Sequence, residues 1–154
     1  RISRLKKGTN GKESAFAIRE SMFDVLKESM FIFRNGKDLE KGLNQLKEIH
    51  ERAKNVSLKS NGIGANPEIS LALKIQGMVK LAIVACYGAL QRTESRGSHT
   101  RTDFPERNDR DWLKRTLATW KNGNDMPTLN YEPASVKMEL PPGSRGYGED
   151  KIIS

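Results

Sequence analysis

Four arginines, four acids and a histidine fall between Arg92 and Asp109, and these residue types either recognise an anion or hold one another. The planar guanidinium fork suits carboxylates, phosphates and polarised carbonyls. Arg96, His99 and Arg101, leaving the end of a helix together, form a candidate donor cluster. The same arginines alternate with Glu94, Asp103, Glu106 and Asp109, which suits a self-contained salt-bridge net equally well, so the residues alone leave both readings open. His99 near Asp103 makes a hydrolase triad imaginable, but no nucleophile elbow accompanies them. Gly143 to Gly148 is glycine-rich, yet it has neither the strand before it nor the helix after it that a phosphate-binding loop needs. Two histidines and one cysteine are too few for a typical zinc site, and Cys86 alone excludes an internal disulfide. Independent catalysis, a metal site and a bound cofactor are therefore not expected of this chain by itself.

Three helices must position that stretch. The first is expected from about Glu13 to Phe33, because Ile18, Met22, Val25, Leu26 and Phe33 recur at three- and four-residue spacing. Asn35-Gly36 should end it in a left-handed C-terminal turn, with Asp38 at or near the start of the next helix. The second helix is expected from about Lys37 to Val56, with Leu39, Leu43, Leu46, His50 and Ala53 on a coiled-coil-like seam and His50 as a core or boundary residue. Asn66-Pro67-Glu68 is a strong helix start for a third helix reaching about Ser95, capped by Gly97. Leu71, Ile75, Met78, Ala82, Ala85 and Ala89 give it one apolar stripe, and Val79, Ile83, Cys86 and Leu90 a second. The apolar run from Met78 to Leu90 is shorter than the about 20 residues of a membrane span. A helix apolar all round is buried on more than one side, and the small residues Ala82, Ala85, Gly88 and Ala89 would let another backbone come close.

These elements predict a mostly α fold, an antiparallel three-helix bundle over residues 13–97. A charged loop from Ser98, a β-hairpin with strands at Arg115 to Trp120 and Met126 to Tyr131, and an extended Pro- and Gly-rich tail complete the 98–154 region. Residues 1–12 form a basic linker. The chain has 154 residues, 36% hydrophobic and 30% charged, with 27 Lys and Arg against 19 Asp and Glu for a net charge of +8. A basic helical module that binds nucleic acid is one function class compatible with that charge. Against it, charges of both signs interleave along the first two helices, and aromatic residues do not alternate with basic ones. A helical adaptor or homo-oligomer using the excess apolar face of the third helix is another.

A specific resemblance narrows these classes. The string Glu94-Ser95-Arg96-Gly97, then His99, Arg101, Asp103-Phe104-Pro105, Arg107 and Asp109, followed by Trp112-Leu113-Lys114 and Thr116-Leu117, resembles the C-terminal region of succinate dehydrogenase and fumarate reductase flavoprotein subunits. Phe33-Arg34-Asn35-Gly36-Lys37-Asp38-Leu39 is similar to that family's corner between its first two helices. Pro141-Pro142-Gly143-Ser144-Arg145-Gly146-Tyr147 resembles its closing segment. The tail after Tyr147 looks most like the fumarate reductase branch. Ser98, where the family more often has Ala, and Thr102, where it has an acid, depart from the pattern. L-aspartate oxidase shares a related helical domain and is the nearest alternative, opposed by the hairpin and the Arg-Gly-Tyr ending.

The resemblance implies a spectrin-repeat-like C-terminal domain packed on an N-terminal flavin domain, with the start at Arg1 as a cut within the parent. The parent would carry FAD and interconvert fumarate and succinate with electrons passed through iron–sulfur clusters. The fragment would be structural and hold no cofactor of its own. Arg96 and Arg145 match arginines placed toward the flavin. Glu94, His99, Arg101, Asp103 and Trp112 are expected at inter-domain or inter-subunit contacts. The implied partners are the chain's own flavin domain, an iron–sulfur subunit and, indirectly, a membrane anchor subunit, with no nucleic acid. The implied location is cytoplasmic, peripheral to the inner membrane, with the periplasmic face as the other arrangement.

Overall fold

A computed structural model describes residues 13–59 and 65–134. The basic linker, the tail from residue 135 and with it Arg145 lie outside the described residues. The chain runs β1 (Glu13–Ser14), α1 (Ala15–Ser29), β2 (Phe33–Arg34), α2 (Gly36–Ala53), β3 (Val56–Ser57), α3 (Pro67–Gln91), β4 (Thr100–Arg101), α4 (Asp109–Trp112), β5 (Lys114–Thr119) and β6 (Thr128–Pro133). It is a helical domain with small sheets.

Each long helix starts on a side-chain cap. Ser14 Oγ accepts the Ala17 amide at 3.2 Å, Asn35 Oδ1 accepts the Asp38 amide at 2.9 Å, and Asn66 Oδ1 accepts the Glu68 amide at 2.9 Å. The cap of α2 is thus Asn35. Gly36 is the first residue of α2 rather than a left-handed terminator of α1, and only Gly97 and Gly123 have positive φ among the described residues. Helix α1 stops at Ser29, four residues short of the expected Phe33. The Phe-Ile-Phe segment that follows prefers extended backbone, and Phe33 and Arg34 pair in parallel with Thr100 and Arg101.

The three long helices all pack on one another. Their apolar stripes meet in a core of Ile18, Leu39, Leu46, Ile75, Val79, Ile83 and Cys86, all buried. Burial pushes the Cys86 thiol up to about 11, and it donates to the Leu39 carbonyl at 3.4 Å, so it is an inert core residue. His50 is buried on the seam as expected, 5.7 Å from the Trp120 ring. Burial and the nearby Lys54 and Lys80 charges hold its pKa below the ordinary histidine value.

Gly42 is buried where α2 meets the end of α1; a Cβ there would lie 2.2 Å from Ser29 Oγ and 2.4 Å from Ser29 Cβ. Ser29 is itself buried and anchored, its hydroxyl donating to the Val25 carbonyl at 2.7 Å. Gly42→Ala therefore gains helix propensity of about 1 kcal/mol but must push the helices apart, at about 1–3 kcal/mol. The net expectation is a lower thermal midpoint, and a midpoint at or above that of the unmodified chain would show that Ser29 can yield.

Helix α3 is long and apolar enough, by length and composition, to cross a membrane, which exceeds what the Met78 to Leu90 run suggested. One side of it, with Ile75, Val79, Ile83 and Cys86, is sealed against α1 and α2, while Leu81 is exposed. It ends at Gln91 rather than Ser95, with Arg92 as an extended C-cap. Gly97 serves a different turn: Arg96 and His99 exchange both backbone hydrogen bonds across Gly97-Ser98. Gly97 sits at φ 56° in the first central position, where positive φ favours glycine.

The hairpin pairs Lys114 with Pro133 through Thr119 with Thr128. Its connection is longer than the expected five residues, because Trp120 and Met126 turn inward to pack against the hydrophobic core. The Trp120 indole N–H also closes the loop onto the Asn124 carbonyl at 2.9 Å.

Candidate functional site

The chemistry-bearing stretch folds into a knot at the end of α3. Helix C-termini leave carbonyls unpaired and carry partial negative charge, and Arg101 supplies what they lack. Its side chain is 2% exposed, and Nη1 donates to the carbonyls of Ala89 at 3.0 Å, Leu90 at 3.0 Å and Arg92 at 3.3 Å. Its Nε and Nη2 form a fork on Asp103 Oδ1 and Oδ2, each at 2.7 Å. Asp103 Oδ2 also accepts the Gly36 amide at 2.8 Å. The pair thus ties the C-terminus of α3 to the N-terminus of α2, matching opposite ends of two helix dipoles. The Arg101 hydrogen bond, with help from the Gly36 amide, holds the Asp103 carboxyl well below the usual carboxylate range.

Beside this latch lies a second ionic knot. Glu94, fully buried, accepts Arg92 Nη1 at 2.6 Å, Arg96 Nε at 2.8 Å, Arg96 Nη2 at 3.1 Å and the Asn108 amide at 2.8 Å. Burial pushes its pKa up, but the hydrogen bonds from Arg96, the Asn108 amide and Arg92 outweigh burial, and the net shift is downward. Arg96 Nη2 also reaches Asp109 Oδ1, which takes Arg107 Nε at 2.8 Å as well. Arg92 continues to the carbonyls of Trp112 at 3.0 Å and Lys114 at 2.7 Å and lies over the Trp112 ring. It thereby fixes the hairpin's first strand to the knot.

His99 faces Arg34. Its Nδ1 lies 3.0 Å from Arg34 Nη1 and its Nε2 3.4 Å from the Arg92 carbonyl. Because a guanidinium only donates, Nδ1 must be the acceptor and Nε2 carries the proton. Burial, with the charges of Arg34, Arg101 and Arg92, lowers its pKa despite the Arg92 carbonyl, so the ring is neutral near pH 7. Both ring nitrogens are occupied and Asp103 is held by Arg101, so no triad forms from His99 and Asp103. Ser95 is buried, its hydroxyl donating to the Phe104 carbonyl at 2.8 Å and accepting the Arg101 amide at 2.8 Å. Among the described residues no group of three or more His, Cys, Asp or Glu could hold a metal.

The structure thus gathers all the expected residues of this stretch into one corner but gives them different tasks. Glu94 and Arg101 are buried, with their polar groups taken up by this chain's own residues. Arg96, His99, Asp103 and Trp112 keep exposed surface. Sequence reasoning assigned no task to Arg34, Arg107 or the Gly36 amide, and named Asp109 only within the salt-bridge-net reading. The clue for Arg34 was its place just past α1, where an arginine can cap carbonyls; it takes those of Met30 at 3.2 Å and Phe31 at 2.9 Å.

Two open grooves flank the corner. One, of about 720 Å³, runs along Met30 to Arg34, Ser98 and Thr100, beside the exposed Phe31, Ile32 and Phe33 side chains. The other, of about 330 Å³, lies between the small-residue side of α3 (Ala85, Gly88) and the hairpin (Thr116, Ala118, Leu129).

Such an assembly defines a class: a helical domain whose charged loop is locked to its long helices by paired arginines and carboxylates. The family described as fumarate reductase flavoprotein C-terminal matches residues 19–147, and the chain belongs to it. It is 48% identical over 141 residues to the fumarate reductase flavoprotein subunit of Helicobacter pylori strain J99, covering 90% of this chain and 20% of that protein. To the succinate dehydrogenase flavoprotein subunit of Bacillus subtilis it is 29% identical over 143 residues, covering 93% and 24%. The fold matches the FrdA chain of an E. coli quinol fumarate reductase with a TM-score of 0.78 at 28% identity, over 86% of this chain and 23% of that one. An adenylylsulfate reductase from Archaeoglobus fulgidus shares the fold at a TM-score of 0.71 and 21% identity, over 83% of this chain and 20% of that chain. The chain spans about a fifth to a quarter of the length of the curated relatives it matches.

Proposed function

We propose that this chain acts as the C-terminal helical domain of a fumarate reductase flavoprotein subunit, a spectrin-repeat-like antiparallel bundle that buttresses the subunit's flavin-binding part. The observation that carries this is the 48% identity to a fumarate reductase flavoprotein subunit over 90% of the chain. The parent would be an FAD-dependent quinol:fumarate oxidoreductase working with an iron–sulfur subunit and, through it, a membrane anchor, on the cytoplasmic side of the membrane.

The described residues fit one edge of a flavin rather than its body. They supply no glycine-rich phosphate loop, but the ionic knot offers guanidinium donors with no partner among the described residues, Arg96 Nη1 foremost. When bound in the parent, FAD would carry electrons between the iron–sulfur clusters and the dicarboxylate. Arg96 and Arg145 would hold negative charge on the isoalloxazine, since a fixed cation in a dry interface acts strongly on developing charge. That charge would favour covalent attachment of the flavin.

In the full-length subunit, Arg96→Ala and Arg145→Ala are each expected to lower the fraction of covalently bound flavin, read by in-gel fluorescence after acid treatment. Unchanged yield in both variants would refute the role. The nucleic-acid and L-aspartate oxidase alternatives gain no support: the arginines of the charged stretch are paired with the chain's own carboxylates, and the family match lies elsewhere.

A further inference from the structure

Resting on the reading that Arg96 faces the flavin, we propose that Arg107 is a second guanidinium of that site, and that the net positive charge presented there depends on it. Arg96 alone is poorly suited to the task. Glu94 takes its Nε and Nη2, and Asp109 takes Nη2 again. Arg92 is likewise committed, to Glu94 and to the carbonyls of Trp112 and Lys114.

Within the knot, Arg92, Arg96 and Arg107 face Glu94 and Asp109, three cations against two carboxylates. Both carboxylates are ionised. Burial raises the pKa of each, but in Glu94 the bonds from Arg96, the Asn108 amide and Arg92, and in Asp109 those from Arg107 and Arg96, leave a net downward shift. Remove Arg107 and the knot is neutral, two against two.

Arg107 is also the least committed of the three. Its Nε is held by Asp109 Oδ1, while neither Nη has a partner among the described residues. None of these nitrogens is a buried unpartnered atom, so Arg96 Nη1 and both Arg107 Nη groups reach the surface. Their side chains are 27% and 24% exposed, so a docked partner would remove the remaining water and strengthen the field of an uncompensated charge. Glu106, Arg110 and Asp111 stand exposed around the knot, where solvent and salt screen them. Asp109 is the positioning residue, since one oxygen holds both guanidinium groups side by side. The ligand chemistry is an anionic group with delocalised charge, here the reduced flavin's edge.

The test uses the full-length flavoprotein subunit assembled with its partners, in the variants Arg107→Gln, Arg107→Lys, Asp109→Asn and Arg96→Met. The readouts are the covalently bound flavin fraction and the flavin midpoint potential. Arg107→Gln keeps a donor for Asp109 but removes the charge. It should lower the covalent fraction about threefold or more and move the potential in the negative direction, because loss of a cation disfavours the reduced anion. Arg107→Lys should restore most of both, and Asp109→Asn should lower the covalent fraction while adding net positive charge, which separates positioning from charge. If Arg107→Gln does not assemble, the Arg107→Lys and Asp109→Asn pair carries the test, and normal covalent flavin in Asp109→Asn overturns the positioning claim. Normal flavin in Arg107→Gln with loss in Arg96→Met overturns the role of Arg107 and leaves the flavin-facing reading intact. Normal flavin in Arg96→Met overturns that reading, and the proposal with it.

Discussion

Arg101→Ala is expected to lower the stability of the chain by about 2–4 kcal/mol, mainly the cost of leaving buried helix-end carbonyls without a donor, because the Asp103 carboxylate left behind is exposed and screened by solvent. The variant leaves the carbonyls of Ala89, Leu90 and Arg92 without their shared donor and Asp103 without its fork. The Asp103 carboxylate keeps the Gly36 amide and sits at the start of α2, so part of its charge stays compensated; this argues for the lower half of the range. Arg101→Lys should recover little, because a single ammonium cannot make the bidentate contact and cap three carbonyls at once. The midpoint of urea denaturation measures the effect. A loss below about 1 kcal/mol, typical of an exposed pair, would mean that the latch is not formed in solution.

Glu94→Gln is expected to cost about 2–4 kcal/mol near pH 7, since it removes the buried counter-charge of both Arg92 and Arg96. An amide can accept on one side only, and its own NH₂ would face a guanidinium. The effect has a pH signature. The folded pKa of Glu94 is lowered relative to the unfolded chain, so its contribution is fully present above the unfolded value of about 4.3 and is lost as pH falls through the folded value. The difference between the unmodified chain and Glu94→Gln should therefore be flat above about pH 5 and shrink in more acid solution. A difference that stays constant down to pH 3, or grows, would show that Glu94 is not the ionised centre of the knot. His99 offers a contrast: its pKa is lowered by burial, so acid must charge it against Arg34, and it too favours unfolding below its ordinary value.

Much of the helical frame was legible because it rests on local periodicity and caps. Asn66-Pro67 fixed the start of α3, and the Leu39, Leu43, Leu46, His50 seam is the buried side of α2. The errors cluster where a distant segment intervenes. Helix α1 stops early because residues 33–34 pair with residues 100–101, more than sixty positions away. Helix α3 stops early because Arg101, from beyond the next turn, accepts the task of capping it. Trp120 leaves its strand because His50 and the Lys80 side chain offer its ring a better surface.

For the site, the sequence placed Glu94, Arg96, His99, Arg101 and Asp103 in one neighbourhood but left open whether they serve a ligand or one another. Spacing along the chain cannot say which acid an arginine will choose when several lie within reach, since that depends on side-chain direction and burial. The sequence by itself determined the helical class, the helix starts and, through its motif order, the family. Only the tertiary structure decided that Glu94 and Arg101 are internal ties while Arg96 and Arg107 keep donors at the surface. The physical reason is that burial makes an unpaired charge costly, so the fold settles partners by depth, and depth is not written in any short stretch of sequence.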